Sequence, residues 1–113
     1  MIAASFVGGS YARGAATESS DVDVYVIARE QDYPALWARR RTLLEEWGEV
    51  AYVEDRPNFE GLGFDMVLFE LADGVDGEIA FAHTGNFMAM HGGPYRVLVD
   101  RIGLLAGVEF PLL

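Results

Sequence analysis

The stretch "SFVGGSYARGAATESSDVDVYVIA", residues 5–28, constrains the chain more than any other. "IAASFV" (2–7) reads as a short buried strand that stops at Gly8-Gly9-Ser10, and after a polar segment the pair Asp21 and Asp23 opens a second apolar run. "DVDVYVIA" (21–28) has period two. Asp21, Asp23 and Tyr25 therefore share one face of a strand, and Val22, Val24 and Val26 share the other. Carboxylates at i and i+2 on a strand lie roughly 7 Å apart at Cα and repel. A divalent cation between them removes that cost, and hard oxygen ligands suit magnesium. Ser10 is placed to cap a short helical turn over 11–16. The glycines before it let backbone amides approach a phosphate, and the helix N-terminus adds donors. Gly-Gly-Ser alone is commonly only a turn, and Asp-x-Asp alone is commonly a solvated strand face. Together they are the parts of phosphoryl or nucleotidyl transfer.

Composition narrows the setting. A chain of 113 residues, 51% of them hydrophobic, builds one domain around one core. It has no apolar run near 18 residues, and "MIAASFVGGS" has no basic leader, so a membrane span is not expected and a cytoplasmic location is. Without cysteine there is no disulfide framework and no thiolate metal site. Eighteen acidic residues against eight basic ones leave a net charge of −10, and all eight bases are arginine. Such a surface repels phosphate backbones, which argues against nucleic acid as a partner. It suits a cationic small substrate or a metal-assisted site, and it also suits plain solubility.

Further along, residues 32–47 read as a helix with Asp32 as N-cap and Pro34 in the first turn. Leu36, Trp37, Leu43, Leu44 and Trp47 form its apolar stripe, and Gly48 ends it. Strands follow at 49–54, 64–71, 78–83 and 95–101, with a loop at 55–63 and a hairpin turn through 72–77. The order predicts an α/β (α+β) domain over 1–113, a mixed sheet with helices mainly on one face. The tail "GLLAGVEFPLL" places Leu104, Leu105, Val108, Phe110, Leu112 and Leu113 close together. It forms an apolar patch for a homodimer or helical partner, or it folds back over the sheet. His83, Asn86 and His91 flank the 78–83 strand; two histidines without cysteine do not make a zinc site, and packing or surface roles are the simpler reading.

Gly9-Ser10, a short spacer and Asp21-Val22-Asp23 resemble the nucleotidyltransferase superfamily that includes DNA polymerase beta. "GSYARGAATESSDVDVYVI" is especially similar to the small bacterial antibiotic and minimal nucleotidyltransferases. The resemblance implies two-metal transfer of a nucleoside monophosphate from a triphosphate, ATP in the first instance. It implies that Asp21 and Asp23 hold Mg2+, and that Gly9 and Ser10 hold the triphosphate. Arg13 would reach a phosphate oxygen, unless it is an ordinary surface residue. The family carries a third carboxylate on a later strand, as metal ligand and general base. "LADGVDGEIAFAH" is similar to the hairpin that bears it, which favours Glu78, with Asp65 second and Asp76 also available. Related enzymes have a helix before the first strand and, in antibiotic-modifying members, a helical C-terminal domain; neither is expected within 1–113. The acceptor is expected to be a small molecule, aminoglycoside-like, with a protein acceptor or a non-catalytic nucleotide-binding module as alternatives.

Overall fold

The computed structural model describes residues 2–8 and 22–110. The helical turn expected over 11–16, the residues Gly9, Ser10, Arg13 and Asp21, and the tail residues Leu112 and Leu113 lie outside the described residues.

Among the described residues, six strands form one sheet in the order β3-β4-β5-β2-β1-β6. They are β1 (Ile2–Val7), β2 (Val22–Ala28), β3 (Val50–Arg56), β4 (Asp65–Leu71), β5 (Asp76–His83) and β6 (Arg96–Asp100). β2 runs parallel to β5, and every other neighbouring pair is antiparallel. The mixed α+β architecture is the expected one.

Alternation along β2 sorts its side chains between two cores. Val24, Val26 and Ala28 face two helices, α1 (Tyr33–Ala38) and α2 (Arg40–Trp47), and join Leu36, Leu44, Val67, Phe69, Ile79 and Phe81. Ile27 and Tyr25 face the opposite side, where Phe6, Met66, Ala80, Ala82 and Phe87 gather. Both helices lie on the first side, as the sequence pattern requires.

The single helix expected over 32–47 is corrected to two. Arg39 breaks it at φ −97° and ψ 6°, with its N–H donating to Leu36 O at 3.0 Å. Arg40 stabilises the break: its Nη1 donates to Trp37 O at 2.7 Å, and its guanidinium lies 4.2 Å from the Trp37 ring. The same guanidinium reaches β3, where Nε and Nη2 donate to the Asp55 carboxylate at 2.9 and 2.8 Å. Asp32 precedes α1 but makes no side-chain cap, because a 3-10 turn over Glu30–Asp32 runs directly into the helix. Trp47 was expected in the core stripe and is instead 48% exposed, meeting Phe69 edge-on at 5.9 Å. No helix among the described residues is long and apolar enough to cross a membrane.

The tail folds back over the sheet face opposite the helices. Leu105 and Phe110 are buried, and Leu104 and Val108 pack against the same cluster, so the exposed patch expected of these four residues does not form. Two polar anchors hold the tail. The Asp100 carboxylate accepts from the N–H groups of Leu104 and Leu105 at 2.9 and 2.8 Å. Tyr95 Oη donates to Val108 O at 2.5 Å and lies 3.2 Å from Leu105 O. Tyr95→Phe is expected to cost about 1 kcal/mol. The measurement is a thermal melt with a hydrophobic dye, in which earlier dye uptake reports release of the tail and an unchanged melt would show the anchor to be idle.

Candidate active site

The described part of β2 begins with Val22, and its second residue is Asp23. The parallel ladder pairs Val22 with Gly77, Asp23 with Glu78 and Tyr25 with Ala80. Neighbouring strands are about 4.8 Å apart, and partners in a parallel ladder project to the same face. Asp23 and Glu78 are thus brought side by side, both half-buried. Residues 55 positions apart in sequence meet because β5 is inserted between β2 and β4.

Tyr25 stands beside the pair. Its ring stacks on Phe6 with centroids 4.6 Å apart and planes 5° from parallel. Burial, followed by the negative charges of Asp23 and Glu78, holds its hydroxyl well above the usual tyrosine range. The phenol therefore stays protonated and is a donor at neutral pH.

The other two candidates for the third carboxylate are placed differently. Asp65 opens β4 opposite Phe81 and alternates with Val67 and Phe69, so it lies on the helix side of the sheet. Its Oδ2 accepts from Tyr33 Oη at 2.5 Å and its Oδ1 from Asn58 N at 2.8 Å. Burial and this bond to Asp65 also raise the Tyr33 hydroxyl above its usual range. Asp65 ties α1 to the sheet, away from Asp23. Asp76 lies on the same face as Glu78 but two residues earlier, exposed and opposite Glu70. Glu78→Gln is expected to lower kcat about 10²-fold or more, whereas Asp65→Asn lowers thermal stability and leaves kcat intact. Steady-state kinetics of both variants, each with a melt, checks the pair; equal kinetic losses would refute this assignment.

His83, Asn86 and His91 serve the framework. His83 Nδ1 accepts from Gly85 N at 2.9 Å, and Asn86 Oδ1 accepts from His83 N at 2.9 Å. His91 Nε2 bonds Pro94 O at 2.9 Å.

Gly77 is the site residue that sequence reasoning passed over as part of a turn. A Cβ there would lie 2.0 Å from Val22 O, which is backbone and cannot rotate away. Its lack of a side chain lets β5 approach β2 at the ladder position next to Asp23 and Glu78. The signal was available: a glycine inside a strand marks a close backbone approach.

Among the described residues no group of three or more His, Asp or Glu side chains forms a metal cluster. The described pair supplies two carboxylates on one face, and Asp21, expected to bind metal together with Asp23, lies outside the described residues. Hard oxygen donors paired in this way fit magnesium.

The sequence profile of the family described as "Nucleotidyltransferase domain" matches residues 2–60. That span is 59 of the 113 residues, more than half the chain. The chain belongs to the nucleotidyltransferase domain family. No curated protein is similar enough to the chain to count as a relative. In this nucleotidyltransferase domain the matched span contains β1, β2, both helices and β3. Glu78 lies beyond the match and is set beside Asp23 by the β2–β5 ladder. General nucleotidyl transfer is the activity that the family implies.

Proposed function

We propose that this domain transfers a nucleoside monophosphate from a nucleoside triphosphate, ATP in the first instance, to a hydroxyl of a small cationic acceptor. The observation that carries the reading is the ladder pairing of Asp23 with Glu78 beside the motif that the family profile matches. Asp21, Asp23 and Glu78 would hold Mg2+, which neutralises phosphate charge and polarises the reacting oxygens. Gly9 and Ser10 would receive the triphosphate through backbone amides, with Arg13 on a phosphate oxygen. The acceptor oxygen attacks the α-phosphorus, the bond from that phosphorus to the oxygen bridging toward the β-phosphate breaks, and pyrophosphate leaves with the electron pair. Glu78 takes the acceptor's proton.

Support for a small cationic acceptor comes from the cleft next to Glu78. It has a volume of about 250 Å³ and is lined by Tyr52, Leu68, Phe69, Glu70, Asp76, Gly77 and Glu78. Three of those residues are carboxylates, and Tyr52 is an exposed aromatic wall. Acidic side chains around a ring-sized cleft favour an amine-bearing sugar, aminoglycoside-like, over an anionic polymer.

The test is incubation with each α-labelled nucleoside triphosphate and Mg2+, alone, with a panel of aminoglycosides, or with cell extract. Label in a small molecule with matching pyrophosphate release is the expected result. Label entering protein would select a protein acceptor, and magnesium-dependent binding without release would select a non-catalytic module. Either outcome rejects the small-molecule reading. Duplex and single-stranded DNA are expected to bind only weakly at physiological salt; a tight, salt-sensitive gel shift would reject their exclusion.

A further inference from the structure

Two cavities that share Ile2 and Arg101 lie away from Asp23 and Glu78. One, of about 240 Å³, is polar, with Arg29, Gln31, Asp32 and Ile102 also in its lining. The other, of about 230 Å³, is more apolar, and Arg39, Leu36 and Leu43 complete it. Asp23 stands near the start of β2 and Arg29 just past its end, so the strand between them, about 20 Å long, separates this groove from the carboxylate pair.

Three arginines converge there from three parts of the fold, and the main chain fixes where each begins. Arg29 follows β2, and its carbonyl accepts from Asp32 N at 3.0 Å. Arg39 sits at the break between α1 and α2, with its N–H on Leu36 O at 3.0 Å. Arg101 follows β6, and its N–H donates to Ala3 O at 2.8 Å. All three are exposed. None forms an ion pair among the described residues, whereas Arg40 and Arg56 are each paired with a carboxylate. In a chain of net charge −10, three guanidiniums against the one carboxylate of Asp32 leave a local excess of two positive charges. Like charges gathered in this way repel, and a dianion between them removes that cost.

We propose that this groove binds a small phosphate monoester carrying an apolar group. Near pH 7 such a monoester bears about two negative charges, which matches the excess, and guanidinium forks take its oxygens in pairs. Ile2, Leu36 and Leu43 receive the apolar group beside the anion, which selects the ester over free phosphate. Cavities of this size suit one ring or a short chain better than a polymer. The site uses neither a metal nor the Asp23–Glu78 pair, so it stands apart from the nucleotidyl-transfer reading.

The test is a titration of the isotope-labelled domain, free of Mg2+ and nucleotide, followed by amide chemical shifts. The probes are phenyl phosphate, inorganic phosphate, benzoate, benzyl alcohol and a glutamate-rich peptide. Phenyl phosphate is expected to give saturable shifts at Arg29, Leu36, Leu43 and Arg101, with Asp23 and Glu78 unmoved and a Kd of about 1 mM or tighter. Inorganic phosphate and benzoate should bind about tenfold more weakly, and benzyl alcohol not at all. The affinity for phenyl phosphate should fall below about pH 6, where the phosphate gains its second proton. Arg29→Gln with Arg101→Gln should weaken binding about tenfold or more, while Arg41→Gln, outside both cavities, keeps the wild-type affinity. Thermal melts check that each variant folds, and the two single variants carry the comparison if the double variant does not. Absence of saturable shifts, shifts confined to Asp23 and Glu78, equal binding of any other probe, or affinity that survives loss of the arginines would each overturn the site. Binding of the peptide without phenyl phosphate would make the groove a protein-docking surface and reject the proposal.

Discussion

Asp23→Asn is expected to reduce pyrophosphate release about 10³-fold or more, because it neutralises one member of a unit whose parts act together. The substitution keeps the shape of the side chain and its place in the β2–β5 ladder, so the melting temperature should stay within a few degrees of wild type. With Asp21→Asn added, magnesium-dependent triphosphate binding should disappear altogether. Calorimetry with and without Mg2+ separates the alternatives. If the double variant retained the wild-type affinity and its metal dependence, the aspartates would not be the ligands, whatever had happened to turnover.

Gly77→Ala carries the largest expected cost in stability. A Cβ at residue 77 would sit 2.0 Å from Val22 O and 2.8 Å from both C and N of Val22. Each of these is main chain within the sheet, so β5 must move away from β2 for the methyl to fit. That movement strains the one parallel pair among the described strands and the packing of Ile79 and Phe81 on Leu36 and Leu44. Overpacking against backbone at a core ladder is expected to cost about 3 kcal/mol or more, roughly 10 °C in a domain of this size. Any folded fraction should also turn over poorly, because the same shift separates Glu78 from Asp23. Gly48→Ala is the matched control: its Cβ would meet only Leu71 Cδ1, at an ordinary 3.5 Å. Melting both variants decides the matter. Equal, small shifts would show that the close approach at Gly77 is not required.

Much of this arrangement is legible in the sequence. A short apolar run marks β1, and period two marks β2 and puts Asp23 and Tyr25 on the face opposite Val24 and Val26, because alternation on a half-buried strand needs no knowledge of its partners. β3 was read as ending at 54, yet it continues through Asp55 and Arg56, which pair with Val67 and Met66 of β4. Those two polar residues carry no strand signal of their own; a neighbouring strand extends the ladder over them. The break at Arg39 was likewise invisible. Arg39, Arg40 and Arg41 are good helix formers, and only the reach of Arg40 to both Trp37 O and Asp55 makes an interrupted helix satisfactory.

The choice of third carboxylate shows the same division. Glu78 was favoured through resemblance, and Asp65 and Asp76 remained open because one-dimensional spacing does not say which strands become neighbours. The pairing of β2 with β5 sets Glu78 beside Asp23, while Asp65 lies on the helix side of the sheet. Local alternation is a property of the chain, and the sequence by itself determined which face each residue of a strand would occupy. Register and strand order are properties of the whole sheet, set by where two cores can close at once. Only the tertiary structure therefore brought Asp23 to Glu78, and only it gathered Arg29, Arg39 and Arg101 along one groove.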